Sequence, residues 1–171
     1  MEPKVILVDE QDNAIGVMDK LQVHKEGLLH RAFSIFLFNE AGAMLIHKRA
    51  ADKYHSENLW TNACCSHPQP EESVLEAAHR RLMEEMGMTC DLSFAFKFIY
   101  QTEVTQDLIE HELDHVLIGH TEAIPEPNPA EVQDWKWMHL EDLQADVNLH
   151  PENYTIWFKI ALPHVVAHLN Q

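Results

Sequence analysis

The stretch from Ser73 to Gly87 places the strongest constraint on how this chain folds. Ser73 and Glu76 have the spacing of a capping box, and Gly87 stands where a helix commonly ends. Between these signals, apolar residues recur with a helical period and form one stripe: Leu75, Ala78, Leu82 and Met86. The sequence therefore predicts an amphipathic helix over residues 73–86.

Segments of strand type lie on both sides of this helix. They are short apolar or alternating runs separated by turn signals, at residues 5–8, 14–18, 32–38, 43–48, 92–104, 110–120 and 132–138. The turn at 39–42 predicts a hairpin between its two neighbouring strands, and the two long segments after the helix predict an antiparallel pair.

The remaining segments complete a mixed architecture. Residues 21–30 and 52–70 have no clear period and are predicted to be loops. Residues 140–145 predict a short helix, and residues 154–169 predict a terminal helix that is kinked or divided at Pro163. Strands around a central helix, with a further helix at the end, predict a single mixed α/β (α+β) domain.

The charge of the chain bears on its partners. Twelve Lys and Arg residues stand against 28 Asp and Glu residues, which gives a formal charge of −16. This balance argues against a nucleic-acid partner, because phosphate backbones attract basic surfaces. It is also unfavourable to a phosphorylated substrate, unless bound metal ions and local cations offset it.

Composition also indicates a compartment. No run reaches the ~20 apolar residues of a membrane-spanning helix, and the first residues lack the apolar core of a signal peptide. The three cysteines (Cys64, Cys65 and Cys90) are an odd number, and two of them are adjacent, which argues against a disulfide framework. We therefore expect a cytoplasmic protein without a membrane partner. The surplus of 13 histidines reflects either composition alone or metal and proton chemistry.

The charged residues of the central helix match a metal-binding spacing. Counted back from the helix end, they fit the Nudix box G-x5-E-x7-R-E-U-x-E-E-x-G-U, where U is aliphatic, at Glu72, Arg80, Leu82, Glu84, Glu85 and Gly87. Ser66 replaces the first glycine, and Arg81 replaces a glutamate. Acidic oxygens at this spacing suit Mg²⁺, whereas a cation at position 81 favours gripping a phosphate group. The alternative is a solvated helix with the ion pairs Arg80–Glu84 and Arg81–Glu85.

Further short motifs accompany this box. Residues 29–33 read LHRAF, residues 60–68 read WTNACCSHP, and residues 110–112 read EHE. Together they resemble the type 1 isopentenyl diphosphate isomerases, which carry L-H-x-A-F, W-T-N-x-x-C-x-H-P and E-x-E in this order. The resemblance implies a Nudix fold, in which a mixed β-sheet is sandwiched between helices. It also implies one compact domain over residues 1–171, with a catalytic core at about 30–150 and the terminal helix at about 152–169.

The resemblance implies two metal sites. A divalent ion, Mn²⁺ or Zn²⁺, would be held by His24, His30, His67, Glu110 and Glu112. The two glutamates lie two residues apart on a predicted strand, so both point to the same face, and mixed nitrogen and oxygen ligands suit such ions. A Mg²⁺ that accompanies a diphosphate would be held by Glu85 and the backbone carbonyl of Cys65.

The activity implied is the conversion of isopentenyl diphosphate to dimethylallyl diphosphate through a tertiary carbocation. Cys65, Glu112, Tyr100 and Trp157 match the family's catalytic groups, and Lys20, Arg49, Lys53 and Arg81 match its diphosphate-binding groups. By chemistry alone Cys64 competes with Cys65, but the spacing Cys-x-His-Pro selects Cys65. Trp157 could equally be a core aromatic residue, and each basic residue a solvated surface charge.

Two other functions compete with this interpretation. One is a Nudix hydrolase that cleaves a nucleoside diphosphate derivative, against which Arg81 argues. The other is a non-enzymatic, histidine-rich metal-binding protein, which has no need of the WTN motif. For the isomerase we expect a small-molecule diphosphate substrate, no nucleic-acid partner, and a monomer or weak homodimer.

Overall fold

The fold is built around one strand that is buried on both of its faces. In the computed structural model, which describes residues 3–171, the strand from His30 to Phe38 is buried at every position except Arg31, and from Ala32 onwards only Ser34 is polar. Phe33, Ile35 and Leu37 face one side of the sheet, and Phe36 and Phe38 face the other. A strand covered on both faces needs a continuous apolar run, which is the pattern of this segment.

The described residues contain nine strands and four α-helices. The strands are β1 (Lys4–Val8), β2 (Ala14–Asp19), β3 (His30–Phe38), β4 (Ala43–Arg49), β5 (Trp60–Thr61), β6 (Cys64–Ser66), β7 (Leu92–Val104), β8 (Leu108–His120) and β9 (Val132–His139). The helices are α1 (Lys20–Glu26), α2 (Val74–Met86), α3 (Leu140–Leu149) and α4 (Ile156–Leu169). The predicted domain begins two residues earlier, outside the described residues.

The strands form one mixed sheet. β3 pairs in parallel with β8 from His30 opposite Glu112 to Phe38 opposite His120. β7 pairs antiparallel with β8, as predicted, and β6 pairs antiparallel with β3, with Ser34 opposite Cys65. The predicted hairpin of β3 and β4 exists only next to its turn, where Phe38 pairs with Met44. The rest of β4 pairs antiparallel with β9.

Helices cover both faces of the sheet, as the predicted sandwich requires. On one face α2 buries Ala77, Ala78, Leu82 and Met86 against β3, and on the other α4 buries Phe158 and Leu162. The predicted capping box is present, since Ser73 Oγ accepts from the Glu76 amide and the Glu76 carboxylate accepts from the Ser73 amide. None of the helices in the described part of the chain is long and apolar enough to cross a membrane.

Four local predictions differ from the structure. Residues 21–30 are not a loop but contain α1, a helix of seven residues that is too short to show a clear period. The predicted loop 52–70 contains the short strands β5 and β6. Leu75 belongs to the apolar stripe by its helical angle but is exposed, because it lies in the first turn of α2. Pro163 does not divide the terminal helix, because α4 runs without interruption from Ile156 to Leu169.

Candidate active site

One cavity brings together most of the side chains that the sequence singled out. The cavity is partly open to solvent, and its interior volume is about 60 Å³. The predicted site residues that line it are Lys20, Arg49, Lys53, Cys65, His67, Arg81, Glu85, Tyr100, Glu110, Glu112 and Trp157. His24 and His30 lie beside it, in contact with the two glutamates.

The cluster of three histidines and two glutamates is compact. One ligand atom from each of His24, His30, His67, Glu110 and Glu112 lies within 4.8 Å of every other. α1 supplies the first histidine, β3 the second, the segment directly after β6 the third, and β8 both glutamates. Four of the five side chains are buried, and nitrogen and carboxylate oxygen atoms form a donor set that suits a divalent transition metal.

The hydrogen bonds behind the cluster orient two imidazole rings. His24 Nδ1 donates to the Lys20 carbonyl oxygen at 2.7 Å, and His30 Nδ1 donates to the Leu28 carbonyl oxygen at 2.9 Å. A carbonyl oxygen can only accept, so in the neutral rings the lone pairs lie on Nε2. These atoms face Glu110 Oε1 at 3.1 Å and Glu112 Oε2 at 3.4 Å.

Two facing acceptors need a proton or a cation between them. Among the described residues, His30 Nε2 and Glu110 Oε2 are buried polar atoms without a hydrogen-bond partner. An unpaired buried polar atom is costly, and a bound cation would satisfy both of these atoms. The residues present therefore fit a divalent metal ion.

The carboxylates of this cluster are held in their charged form. Burial alone would raise the pKa of Glu110, but the imidazoles of His24 and His55, when protonated, bring its pKa well below the ordinary value. Burial and Glu110 oppose ionisation of Glu112, yet His30 and His67 lower its pKa as well. Burial lowers the pKa of His67 to about 4 despite its bond to Glu112, which leaves that ring neutral and able to bind a metal.

Strand alternation separates the two adjacent cysteines. Cys65 lines the cavity, where its Sγ lies 3.0 Å from Asn62 Oδ1 and 3.5 Å from Ser34 Oγ. Cys64 is fully buried in the core against α2, with its Sγ 3.6 Å from Glu85 Oε2. Burial raises the pKa of the Cys65 thiol to about 12, so the thiol is protonated at neutral pH.

Groups on β7, β8 and α4 form other walls of the cavity. The Tyr100 hydroxyl donates a hydrogen bond to Glu112 Oε1. Trp157 lies in the first turn of α4 and is 6% exposed, with the Arg49 guanidinium 5.0 Å from its ring centre. Arg49 also donates to the carbonyl oxygens of residues 55 and 56, so it ties the loop after β4 to Trp157.

Basic side chains line another part of the cavity, and two of them form ion pairs with acidic residues. Lys53 Nζ lies 2.7 Å from Glu131, and Arg81 bonds Glu85 at 2.8 Å. Burial and the neighbouring Lys53 lower the pKa of Lys20. Cations that are crowded in this way are stabilised by an anion placed between them.

The sequence interpretation missed several residues of the site. His55 Nε2 lies 3.1 Å from Glu110 Oε1, and the edge of its ring meets Trp157 at 5.7 Å. Asp114 is buried on the same face of β8 as the two glutamates and accepts a hydrogen bond from Ser34 Oγ at 2.7 Å. The i, i+2, i+4 spacing of Glu110, Glu112 and Asp114 could have identified Asp114, but no local signal marks His55.

The chain is similar to known proteins over almost all of its length. The sequence profile of the NUDIX domain matches residues 28–158. The chain is 51% identical to isopentenyl-diphosphate Delta-isomerase 1 of Aromatoleum aromaticum, over 98% of this chain and 94% of that protein. It is 49% identical to isopentenyl-diphosphate Delta-isomerase of Serratia proteamaculans, over 92% and 88%.

Solved structures with the same fold are more distant in sequence. A Deinococcus radiodurans protein superposes with a TM-score of 0.71 at 20% identity, over 85% of this chain and 89% of its own. The MutT protein of Methanosarcina mazei superposes with a TM-score of 0.69 at 19% identity, over 84% and 96%. At this identity the likeness is evidence for the fold alone.

Proposed function

Because this chain belongs to the isopentenyl-diphosphate Delta-isomerases, a family within the NUDIX proteins, we infer that it converts isopentenyl diphosphate to dimethylallyl diphosphate. The observation that carries this function is the similarity to isomerases over nearly the whole chain, at about half of the positions identical. The cavity agrees with it, because a protonated thiol and a carboxylate line the same space. The reaction adds a proton to the terminal carbon of an alkene and removes another from the carbon two positions away. It therefore needs two proton-transfer groups and no hydrolytic water.

We propose that Cys65 and the Glu112–Tyr100 pair are these two groups. A raised pKa keeps the thiol protonated, and a lowered pKa keeps Glu112 ready to accept a proton. The Tyr100 hydroxyl, bonded to Glu112 Oε1, orients that carboxylate and can pass a proton to it. One group protonates the alkene, and the other receives the proton that leaves.

The intermediate of this reaction is a tertiary carbocation, which water would destroy. We propose that the indole of Trp157 covers this cation, because the face of an aromatic ring attracts positive charge. Trp157 is almost completely buried, as is Tyr100, and such walls exclude water from the reacting carbons.

We propose that His24, His30, His67, Glu110 and Glu112 hold one divalent ion, Mn²⁺ or Zn²⁺. The nitrogen and oxygen donors support this assignment, as do the buried atoms His30 Nε2 and Glu110 Oε2, which have no hydrogen-bond partner. Such an ion supplies positive charge that keeps the buried carboxylates ionised and fixes the orientation of Glu112. A Mg²⁺ that accompanies the diphosphate is assigned to Glu85 and the backbone carbonyl of Cys65.

The diphosphate group is assigned to the basic part of the cavity. Lys20, Lys53 and Arg81 lie there beside Glu85 and Glu131, and Arg49 lies above the Trp157 ring. Arg81 stands where the Nudix box has a glutamate, so the helix offers a cation to the substrate in place of an acid. This substitution supports binding of a diphosphate without its hydrolysis.

The test is incubation of the purified protein with isopentenyl diphosphate, Mg²⁺ and Mn²⁺ or Zn²⁺ in D₂O, followed by NMR. We expect dimethylallyl diphosphate that carries deuterium, with no phosphate released. Release of phosphate or pyrophosphate would instead establish a hydrolase. Metal-replete protein that leaves the substrate unchanged would point to a metal-binding protein without this activity.

A further inference from the structure

A chain of buried hydrogen bonds connects the helix that carries Trp157 to the Cys65 thiol. Its members are the side chains of Thr155, Thr61 and Asn62, none of them more than 1% exposed. Thr155 Oγ1 lies 3.0 Å from Thr61 Oγ1, and Thr61 Oγ1 lies 3.0 Å from Asn62 Oδ1. The same amide oxygen lies 3.0 Å from Cys65 Sγ.

The direction of each bond follows from the chemistry of its ends. Asn62 Nδ2 donates to the carbonyl oxygens of Ile35 at 2.8 Å and Cys64 at 3.1 Å. The amide is therefore fixed with Oδ1 as an acceptor, to which both the Thr61 hydroxyl and the Cys65 thiol donate.

The bonds of the two threonines, at the other end of this hydrogen-bond series, have fixed directions as well. Since Thr61 uses its only proton on Asn62, it must accept from the hydroxyl of Thr155. Thr155 in turn accepts from the Phe158 amide at 3.3 Å, which is the N-cap bond of α4. Each threonine hydroxyl proton is donated once, so the two threonine bonds have only one possible direction.

This series of hydrogen bonds joins two parts of the site that lie on different elements. Cys65 is on β6, whereas Trp157 is the second residue after the N-cap of α4. The backbone supports the same junction, because the Thr155 amide donates to the Trp60 carbonyl oxygen at 2.9 Å. Polar groups with this burial are costly unless all are paired, and a fully paired network holds its members rigidly.

We propose that Thr155, Thr61 and Asn62 are positioning residues that hold the Cys65 thiol and the Trp157 indole in a fixed relative orientation. This inference rests on the proposed function, in which the thiol transfers a proton to carbons covered by the indole. None of these three side chains lines the cavity, so they act through the thiol and the helix. Their loss should therefore slow the chemical step and leave binding of the diphosphate intact.

The test compares the near-isosteric variant Thr61→Val with Thr61→Ser, which restores the hydroxyl. For Thr61→Val we expect kcat to fall roughly 5- to 50-fold, the effect of losing two buried hydrogen bonds, with KM changed less than about twofold. Thr61→Ser should recover most of kcat. Val165→Ala, which destabilises α4 without touching the chain, should leave kcat unchanged.

Two further measurements separate positioning from stability. Thr61→Val already breaks the hydrogen bond between the two threonines, so adding Thr155→Val should lower kcat by a smaller factor in the Thr61→Val background than in the unsubstituted protein. The S–H stretching band of Cys65, isolated by subtracting the Raman spectrum of Cys65→Ala, should shift in Thr61→Val and stay in place in Val165→Ala.

An unshifted band, or a kcat that falls equally in Val165→Ala, would overturn the inference. A KM that rises with kcat unchanged would do so as well. The spectrum needs no turnover, so it tests the chain even if the unsubstituted protein proves inactive towards isopentenyl diphosphate. Failure of the proposed function and failure of this inference are thus distinguishable.

Discussion

At the scale of single residues, alternation along β6 decides which cysteine can act. Neighbouring strand residues point to opposite faces, so Cys64 enters the core and Cys65 enters the cavity. The sequence predicts the same choice from the spacing to His67. The two thiols are therefore a natural pair for comparison, alike in chemistry and different in direction.

We expect Cys65→Ala to reduce kcat at least ~10³-fold, because it removes a proton-transfer group. Cys64→Ala should keep kcat within a few-fold and lower the free energy of unfolding by about 1 kcal/mol, since only a buried sulfur is lost. Steady-state kinetics and urea unfolding measure both effects. Equal activity of the two variants would remove Cys65 from the mechanism.

The raised pKa of Cys65 predicts an unusual pH dependence of its alkylation. In a Cys64→Ala, Cys90→Ala background, the rate with iodoacetamide should still rise between about pH 9 and pH 11, because the thiol has a pKa of about 12. An ordinary thiol, with a pKa of about 8.5, has levelled off in that range. A plateau near pH 9 with the fold intact by circular dichroism contradicts this expectation.

His55 is expected to support the metal cluster through Glu110. Its Nε2 lies 3.1 Å from Glu110 Oε1, so it can orient that carboxylate. We predict that His55→Phe weakens metal binding about 10-fold, the usual scale for a group that orients a ligand, and that His55→Gln weakens it less. Competition with a fluorescent chelator measures the affinity. The exposed His150 is the control, and an equal effect of His150→Gln speaks against the role.

At the scale of elements, the sequence correctly predicts those helices and strands whose signals lie within a single element. The capping box and Gly87 bound α2 correctly, and the alternating runs identified β7 and β8. α1 was missed because seven residues span barely two turns, and β5 and β6 are shorter than one period of any pattern.

Contacts between distant elements could not be predicted from local pattern. His55 has no periodic signal, and its place beside Glu110 depends on how the loop after β4 folds over α1. The cluster of three histidines and two glutamates was predicted only through resemblance to a family. Strand parity alone placed Glu110 and Glu112 together and did not reveal which histidines meet them.

Gly87 and Gly42 both have a left-handed backbone conformation at the end of an element, so replacing them tests how much this conformation contributes to stability. Both have a positive φ, 62° and 84°, but a Cβ on Gly87 would overlap the Glu126 carbonyl oxygen, whereas one on Gly42 meets nothing within 4 Å. We expect Gly42→Ala to cost about 1 kcal/mol of unfolding free energy and Gly87→Ala at least twice that. Urea denaturation measures both, and equal losses would exclude the contact as the cause.

At the scale of the whole molecule, the net charge of −16 conceals a local reversal. Lys20, Lys53 and Arg81 gather at the cavity, and part of the acidity is buried in the proposed metal cluster. Net charge governs the distant field, whereas the site depends on cations and ions close to it. A cytoplasmic location and a monomeric or weakly dimeric state stay predictions.

Removal of metal should affect stability as well as activity. Without a cation, Glu110 and Glu112 leave like charges close together in a buried place, which is unfavourable. We expect EDTA to lower Tm by several degrees and abolish turnover, and Mn²⁺ or Zn²⁺ to restore both. Differential scanning calorimetry with parallel assays measures this, and a Tm unaffected by EDTA in metal-analysed protein would argue against the site.

The register of the parallel pair β3 and β8 has a consequence for how this chemistry could be transferred. His30 stands opposite Glu112, and four positions further along β3, Ser34 stands opposite Cys65 of β6. A slip of one residue in either pairing would turn a functional side chain to the other face. Grafting the site onto another scaffold therefore means transplanting three strands in alignment, because point substitutions on a foreign sheet would reproduce the residues without their arrangement.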